Sequence, residues 1–228
     1  MSKVRYPQLD ERLQAAADLF TACETGADIG ADHGRLSCYL LRENICNRMI
    51  VADISAASLS KARGLLERCG LASRAVFRVA DGLFALDHPA QCIAVCGMGG
   101  RLMAGILRAG KEKLQGAALV LSCHTEIPLV RKAIVEIGYH LAAERLVRCG
   151  GRFYIIMRAE PGTNQYSEKE IYLGPLLMRD CPPLWQDYLQ WRKGVVGCER
   201  GHQTQLGWIM EELANEATDG KSGTGLAE

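Results

Sequence analysis

The sequence has almost no excess of charge of either sign. Its 27 Lys and Arg residues are balanced by 26 Asp and Glu residues, which gives a formal net charge of +1 at pH 7. A strongly basic surface is therefore absent, and any binding of nucleic acid has to depend on local groups of basic residues.

Long apolar runs are also missing. No stretch is long enough to span a bilayer, and the first residues, MSKVRYPQLDERLQ, lack the apolar core of a signal peptide. We therefore expect a cytoplasmic protein with no membrane partner. Ten cysteines are present, but none form a C-x-x-C pair, so we expect reduced, mostly buried thiols and no metal site.

Apolar strands alternate with helical patterns up to about residue 160. Strands that are apolar throughout and separated by helices indicate a parallel sheet covered on both faces. Two further β-like runs around Gly150–Gly151 predict an antiparallel pair at its edge. Beyond residue 160 the composition changes to two helix-like runs broken by Pro182–Pro183, followed by a polar tail from residue 217.

This pattern predicts an α/β protein with a mostly parallel, Rossmann-like sheet and a small C-terminal helical extension. We place the main domain at residues 1–160 and the extension, ending in a disordered tail, at residues 161–228. Ligand sites in such sheets lie where the strands end, close to the point at which the strand order reverses. The predicted strands end at Asp28, Asp53, Asp81 and Gly97.

The first of these strand ends reads DIGADHG, residues 28–34. A dinucleotide fingerprint, G-x-G-x-x-G, would need glycine where Asp32 stands. A carboxylate there would repel a pyrophosphate, which disfavours NAD and FAD. S-adenosylmethionine carries an ammonium and a sulfonium and has no phosphate, so it fits an acid at this position, while Gly30 and Gly34 let the backbone come close to it.

The later strand ends supply the other groups that such a cofactor needs. Asp53 lies 19 residues after Gly34, where a carboxylate can accept hydrogen bonds from ribose hydroxyls. Asp81–Gly82 can accept from an adenine amino group, and CGMGG, residues 96–100, can form a pocket floor of small residues. Each feature also has a plain structural interpretation as a turn or, for Asp53, a helix cap. Their order at successive strand ends favours a class I methyltransferase.

Basic residues give a weaker indication of an RNA substrate. We predict that tRNA contacts come from the helix after the glycine motif and from the late strands, at Arg101, Arg145, Arg148 and Arg152. A solvated face balanced by nearby acids is the alternative. Trp185 and Trp191 are six residues apart, so we expect them to pack a helix on a core rather than to stack on bases.

Five segments together resemble the bacterial tRNA (adenine-N1)-methyltransferases of the TrmK type. They are ADIGADHGRLSCYLL, VADIS, VADGL, CGMGGRLMAGIL and YLGPLLM, in that order. The resemblance covers roughly residues 7–192. It implies a seven-stranded class I methyltransferase domain with a helical, coiled-coil-like extension, and methylation of N1 of adenine 22 in tRNA with S-adenosylmethionine.

The resemblance also implies which residues contact the cofactor, and the strand-end pattern adds Asp28. The predicted set is Asp28, Gly30, Asp32, His33, Asp53, Asp81, Gly82, Gly97, Met98 and Gly99. One segment departs from the family, because Ser122-Cys123-His124 replaces a Gln-Pro-Asn-like end of the fifth strand. The resemblance implies no role for it.

The expected reaction is direct transfer, in which the lone pair of adenine N1 attacks the sulfonium methyl group and the enzyme supplies proximity and orientation. Asp32 is the first candidate to accept a proton from the exocyclic amine and His33 the second. The rival role for Asp32 is to bind the cofactor's ammonium. A small-molecule methyltransferase and a catalytically silent cofactor- or RNA-binding module are the alternative functions. We expect a monomer.

Overall fold

The computed structural model describes residues 6–198 and 201–222, with residues 216–222 described by their backbone alone. The chain divides into two compact units, one up to Gln165 and one from Tyr166 onward. We describe each unit separately. The assignment of residues 1–160 and 161–228 as a catalytic domain and an extension stays a prediction.

The first unit is built on a single sheet of seven strands. These are β1 Cys23–Ile29, β2 Cys46–Asp53, β3 Ala75–Val79, β4 Cys92–Met98, β5 Ala118–Cys123, β6 Tyr139–Cys149 and β7 Arg152–Pro161. The strand order is β3-β2-β1-β4-β5-β7-β6, and it reverses between β1 and β4. The predicted mostly parallel, seven-stranded sheet is therefore confirmed.

The antiparallel pair lies at the edge of the sheet, as predicted, but its two strands are not in chain order. β7 pairs antiparallel with both β5 and β6, so it lies inside the sheet and β6 forms the edge. β7 therefore starts at the edge of the sheet where the parallel strands end, which we call the carboxyl edge. The residues at the start of β7 are thereby brought beside the ends of β4 and β5.

Five α-helices accompany this sheet among the described residues. They are α1 Glu11–Leu19, α2 Arg35–Arg42, α3 Ala56–Arg68, α4 Gly100–Ala109 and α5 Ile127–Glu136. Two of them have a side-chain cap that fixes where they start: Asp10 accepts from Leu13 N–H to cap α1, and Ser55 accepts from Ser58 N–H to cap α3. The central strands are buried on both faces, as their continuous apolar sequence predicts.

The second unit is helical, as predicted, but it has more breaks than the sequence suggested. Its helices are α6 Glu168–Leu173, α7 Pro175–Asp180, α8 Trp185–Gly197 and α9 Gln203–Ser222. Gly174 ends α6 at a φ of 114°. The prediction of two helix-like runs did not include this break. Trp185 is buried and stacks on Tyr188 with ring centroids 5.7 Å apart, whereas Trp191 is 45% exposed.

The predicted tail, residues 217–228, is only partly described. α9 continues to Ser222, and residues 223–228 lie outside the described part of the chain. Among the described residues, no helix is both long enough and apolar enough to cross a membrane.

Candidate active site

The turn after β1 holds three residues in the left-handed region of the backbone. Gly30, Asp32 and Gly34 have φ values of 73°, 47° and 67°. A Cβ atom on Gly34 would lie 2.8 Å from Ala62 Cβ and 3.2 Å from its Cα, so α3 packs directly against this glycine. Aspartate tolerates the left-handed region better than most side chains do. Residues 30–34 thus form a tight loop that turns Asp32 outward.

Asp53, at the end of β2, holds this loop in place. One of its carboxylate oxygens accepts from Asp32 N–H at 3.0 Å and the other accepts from Ser55 N–H at 2.8 Å. The alternative of a helix cap is wrong, since Ser55 is the residue that caps α3. Each carboxylate oxygen can accept a second hydrogen bond, so a ribose hydroxyl could still be bound.

Asp28 is the buried acid of the site. It is 3% exposed, and its carboxylate accepts from the Ser37 hydroxyl at 2.6 Å. Burial raises the pKa of Asp28 to about 6, although the hydrogen bonds from Ser37 act in the opposite direction. The N-cap of α2, Gly34, has no side chain that could cap the helix. Asp28 on β1 contacts the first turn of that helix through Ser37.

Asp32 and His33 form an exposed pair at the rim. Asp32 Oδ2 lies 2.6 Å from His33 Nδ1, which leaves His33 Nε2 outside this contact. Both side chains line a cavity of about 500 Å³, which we call the first cavity, together with Asp28, Gly30 and Gly97. Five of the predicted cofactor residues are therefore brought together around one space.

Three of the remaining predicted residues lie around a second space. Asp81, Gly82 and Gly99 line a second cavity of about 610 Å³, whose wall also includes Phe84 and Leu102. Met98 follows Gly97 of the first cavity and precedes Gly99 of the second. Eight of the ten predicted cofactor residues are thus divided between a charged cavity and a more apolar one, and Asp53 and Met98 line neither of them.

Three residues of the first cavity region were not singled out from the sequence. Arg12 lies with its guanidinium 5.7 Å from the ring centroid of Tyr154, and His124 meets the same ring edge-on at 5.7 Å. Arg12 and His124 both line the first cavity. A Cβ atom on Gly97 would lie 3.5 Å from Arg12 Nη1 and 3.9 Å from His124 Nε2, so the two side chains converge on that glycine.

The sequence did contain a signal for one of the three. His124 directly follows β5, so the strand-end rule that selected the other site residues selects it as well. Arg12 comes from α1 and Tyr154 from the start of β7. Only the position of β7 inside the sheet places Tyr154 at this edge.

The basic residues predicted to bind tRNA are partly engaged within the protein. Arg101 pairs with Glu126 at 2.7 Å and Arg145 pairs with Asp18 at 3.0 Å. The guanidinium of Arg148 lies 5.6 Å from the ring centroid of Phe153, and Arg152 is exposed. The structure does not gather these four cations into one patch of free charge.

The described part of the chain has neither a cluster of metal-ligating side chains nor a disulfide. Within residues 6–198 and 201–215, no group of three or more His, Cys, Asp or Glu side chains is arranged to hold a metal ion. The ten cysteines are all free thiols, and Cys181 and Cys198 are exposed.

Comparison with known proteins agrees with the geometry. Residues 9–157 match the family model described as a methyltransferase domain. The tRNA (adenine(22)-N(1))-methyltransferase of Bacillus subtilis is 32% identical over 181 residues, which cover 76% of this chain and 76% of that protein.

Solved structures with the same fold include methyltransferases of the same kind. A candidate tRNA (m1A22) methyltransferase from Streptococcus pneumoniae, crystallised with S-adenosyl-L-methionine, superposes with a TM-score of 0.85 at 25% identity, covering 90% of this chain and 100% of that one. The Bacillus subtilis m1A22 tRNA methyltransferase TrmK superposes with a TM-score of 0.74 at 25% identity, covering 93% and 95%. In agreement with the sequence motifs, the chain belongs to the methyltransferase domain family and, within it, to the tRNA (adenine(22)-N(1))-methyltransferases.

Proposed function

We propose that this protein transfers a methyl group from S-adenosylmethionine to N1 of adenine 22 in tRNA. The observation that carries the proposal is the 32% identity to the Bacillus subtilis enzyme of that activity, spread over 76% of both chains. The geometry of the two cavities supports it, because it suits a phosphate-free donor with one cationic end and one aromatic end.

The residues present fit that donor. The first cavity offers the carboxylate of Asp32 to an ammonium group, and Gly30, which lines the same cavity, adds no side chain to it. The second cavity offers Asp81 as an acceptor beside the apolar side chains of Phe84 and Leu102, which suits an adenine ring with an exocyclic amine. When bound, the donor supplies a sulfonium methyl group that a nitrogen lone pair can attack.

For the target base, Arg12 and His124 form a wall of the first cavity, and the ring of Tyr154 contacts both of them. An aromatic ring flanked by a guanidinium and an imidazole can hold a nucleobase by stacking and by cation–π contact. The base has to leave its stack to reach this wall, because its N1 atom is otherwise shielded. The main contribution of these residues is the alignment of N1 with the methyl group.

We assign separate roles to the two residues of the exposed pair. Asp32 holds the donor's ammonium, and His33, hydrogen-bonded to Asp32 through Nδ1, uses Nε2 to take a proton from the exocyclic amine as N1 becomes alkylated. Since tRNA is the substrate, the protein acts in the cytoplasm. We further propose that it works as a monomer without a metal ion.

A single assay tests the function. Purified protein is incubated with labelled S-adenosylmethionine and unmodified tRNA, the nucleosides are analysed for 1-methyladenosine, and the modified position is mapped. We expect label in 1-methyladenosine at position 22. Methylation of a small molecule without RNA would favour a small-molecule methyltransferase, and RNA binding without methyl incorporation would favour a silent binding module. Activity that persists in a chelator would support a reaction without a metal ion. Elution of the protein at monomer size would support the proposed monomer.

A further inference from the structure

A third cavity lies on the outer side of the turn after β1, next to the first cavity. It has a volume of about 520 Å³, and we call it the basic cavity. Its lining includes no carboxylate and three basic side chains, which are Arg35, Lys61 and Arg68. In a chain with 27 basic and 26 acidic residues, this local separation of charge needs an explanation.

The three cations come from two helices and face the same space. Arg35 is the first residue of α2, whereas Lys61 and Arg68 both lie on α3. Two helical residues that are seven apart lie two turns from each other on one face. Glu67 is the acid of α3, and at six residues from Lys61 it lies on a different face of the helix.

These cations also differ from most arginines of the first unit in having no ion-pair partner. Arg42, Arg101 and Arg108 each lie within 2.7 Å of a carboxylate oxygen. Within the part of the chain that the structure describes, no carboxylate lies within 4.0 Å of the charged groups of the basic cavity. All three side chains are exposed. Their charge is therefore available to a ligand.

Gly64 forms part of the wall between Lys61 and Arg68. Glycine in the middle of a helix lowers its stability relative to alanine, so its presence in α3 calls for a reason. A Cβ atom here would lie 3.3 Å from Arg68 Nη1. The glycine thus leaves room for the guanidinium to lie back over the helix and for a ligand to approach the helix surface.

The position of the basic cavity links it to the reaction. His33 and Arg35 line both this cavity and the first cavity. A base that is turned into the first cavity keeps its sugar and phosphates outside, at the rim. Phosphate contacts from Lys and Arg are the usual way in which proteins fix the position of a nucleic acid strand.

We propose that Arg35, Lys61 and Arg68 bind a backbone phosphate of the RNA strand beside the target adenine. This inference rests on the proposed function and deepens it, because it places the RNA grip at α2 and α3 rather than at the four arginines predicted from the sequence. Arg35 lines both cavities, so the proposed phosphate site adjoins the active site at this residue.

The test compares two double variants of the full chain with the same change in charge. Lys61→Ala/Arg68→Ala, which we call the grip variant, removes two of the three proposed phosphate-binding cations. Arg48→Ala/Lys113→Ala removes two exposed cations elsewhere in the first unit, Arg48 being near the start of β2. Affinity for a tRNA transcript is measured in the presence of S-adenosylhomocysteine over a series of salt concentrations, and kcat is measured at saturating tRNA.

For Lys61→Ala/Arg68→Ala we expect the Kd for tRNA to rise about 10-fold and the slope of log K against log salt to shrink by about 1, as the contact with one phosphate is lost. The control should stay within about 2-fold of wild type, and both should keep wild-type affinity for S-adenosylmethionine. Gly64→Ala, which favours the helix, should still weaken tRNA binding a few-fold.

Three results would overturn the inference in distinguishable ways. If the wild type methylates adenine 22 while the grip variant keeps wild-type affinity and salt slope, the inference is wrong and the proposed function stands. If the wild type makes no 1-methyladenosine, the function fails and the inference fails with it. Inorganic phosphate that binds the wild type below about 1 mM, and binds the grip variant much more weakly, would mark a site for free anions instead.

Discussion

The two cavities at the carboxyl edge differ in chemical character, although both arise from strand ends of one sheet. The first cavity combines Asp28 and Asp32 with Arg12 and His124. In the second, Asp81 stands beside exposed apolar side chains, since Phe84 is 58% and Leu102 57% exposed. A ligand that spans both has a charged end and an apolar, ring-like end.

The difference originates in the segment that follows each strand. After β1 the chain makes a left-handed turn, which exposes the backbone and leaves polar side chains at the rim. After β3 the chain enters a short 3₁₀-helix, Gly82–Ala85, which buries Leu83 and presents Phe84 outward. The sheet therefore fixes where the ligand lies, and the connecting segments decide which part of the ligand each cavity suits.

The largest expected effect comes from removing charge in the first cavity. Asp32→Asn should weaken binding of S-adenosylmethionine about 100-fold, because a charge-assisted hydrogen bond contributes on the order of 3 kcal/mol. Isothermal titration measures the affinity, and single-turnover methylation at saturating donor measures the chemical step separately.

A change at His124, which lines the same cavity, serves as the control. His124→Ala should leave donor affinity within about 2-fold of wild type and lower turnover of tRNA, because we assign His124 to the target base. Unchanged donor binding together with lost turnover in Asp32→Asn would instead make Asp32 the proton acceptor, with its ammonium role refuted.

A smaller effect is expected in the second cavity. Leu102→Asp should weaken binding of S-adenosylmethionine about 10-fold, because a carboxylate beside the ring disrupts an apolar contact of roughly 1–2 kcal/mol. Adenosine alone should lose affinity by a similar factor, whereas Asp32→Asn should leave adenosine binding unchanged. Leu102→Met, which keeps the side chain apolar, is the control. Equal sensitivity of adenosine to both changes would mean that the two cavities do not divide the ligand in this way.

The residues around the first cavity could be predicted from the sequence only in part. The residues of the glycine turn and of the strand ends could be predicted, because strand endings and turn chemistry are local properties of the chain. The wall formed by Arg12 and Tyr154 could not, because it depends on α1 and on the insertion of β7 between β5 and β6. Sheet order is a long-range property that local patterns leave open.

The ion pairs of the basic residues could not be predicted from local patterns either. Sequence reasoning selected Arg101 and Arg145 for RNA contact, but Glu126 and Asp18 already pair with them. A count of cations along the chain cannot show which of them a distant carboxylate neutralises. The three cations of the basic cavity are recognisable only once α2 and α3 are packed side by side.

The smallest expected effect on activity comes from Asp28, the buried acid behind the exposed Asp32. Burial raises its pKa to about 6 in the folded protein, whereas an unfolded aspartate titrates near about 3.9. The folded state therefore holds more protons between these two values, and stability should fall by up to about 3 kcal/mol as pH rises from about 4 to 6.

Asp28→Asn should remove most of that slope, because the amide oxygen can still accept from the Ser37 hydroxyl while the buried charge is gone. Urea unfolding at intervals from pH 4 to 8 measures the slope, with Asp32→Asn, a change at an exposed side chain, as the comparison. Activity at pH 7.5 should stay within about 3-fold of wild type. A loss of donor affinity as large as that of Asp32→Asn would instead place the Asp28 carboxylate in direct contact with the methyl donor, and the buried and exposed acids of this turn would then share one role.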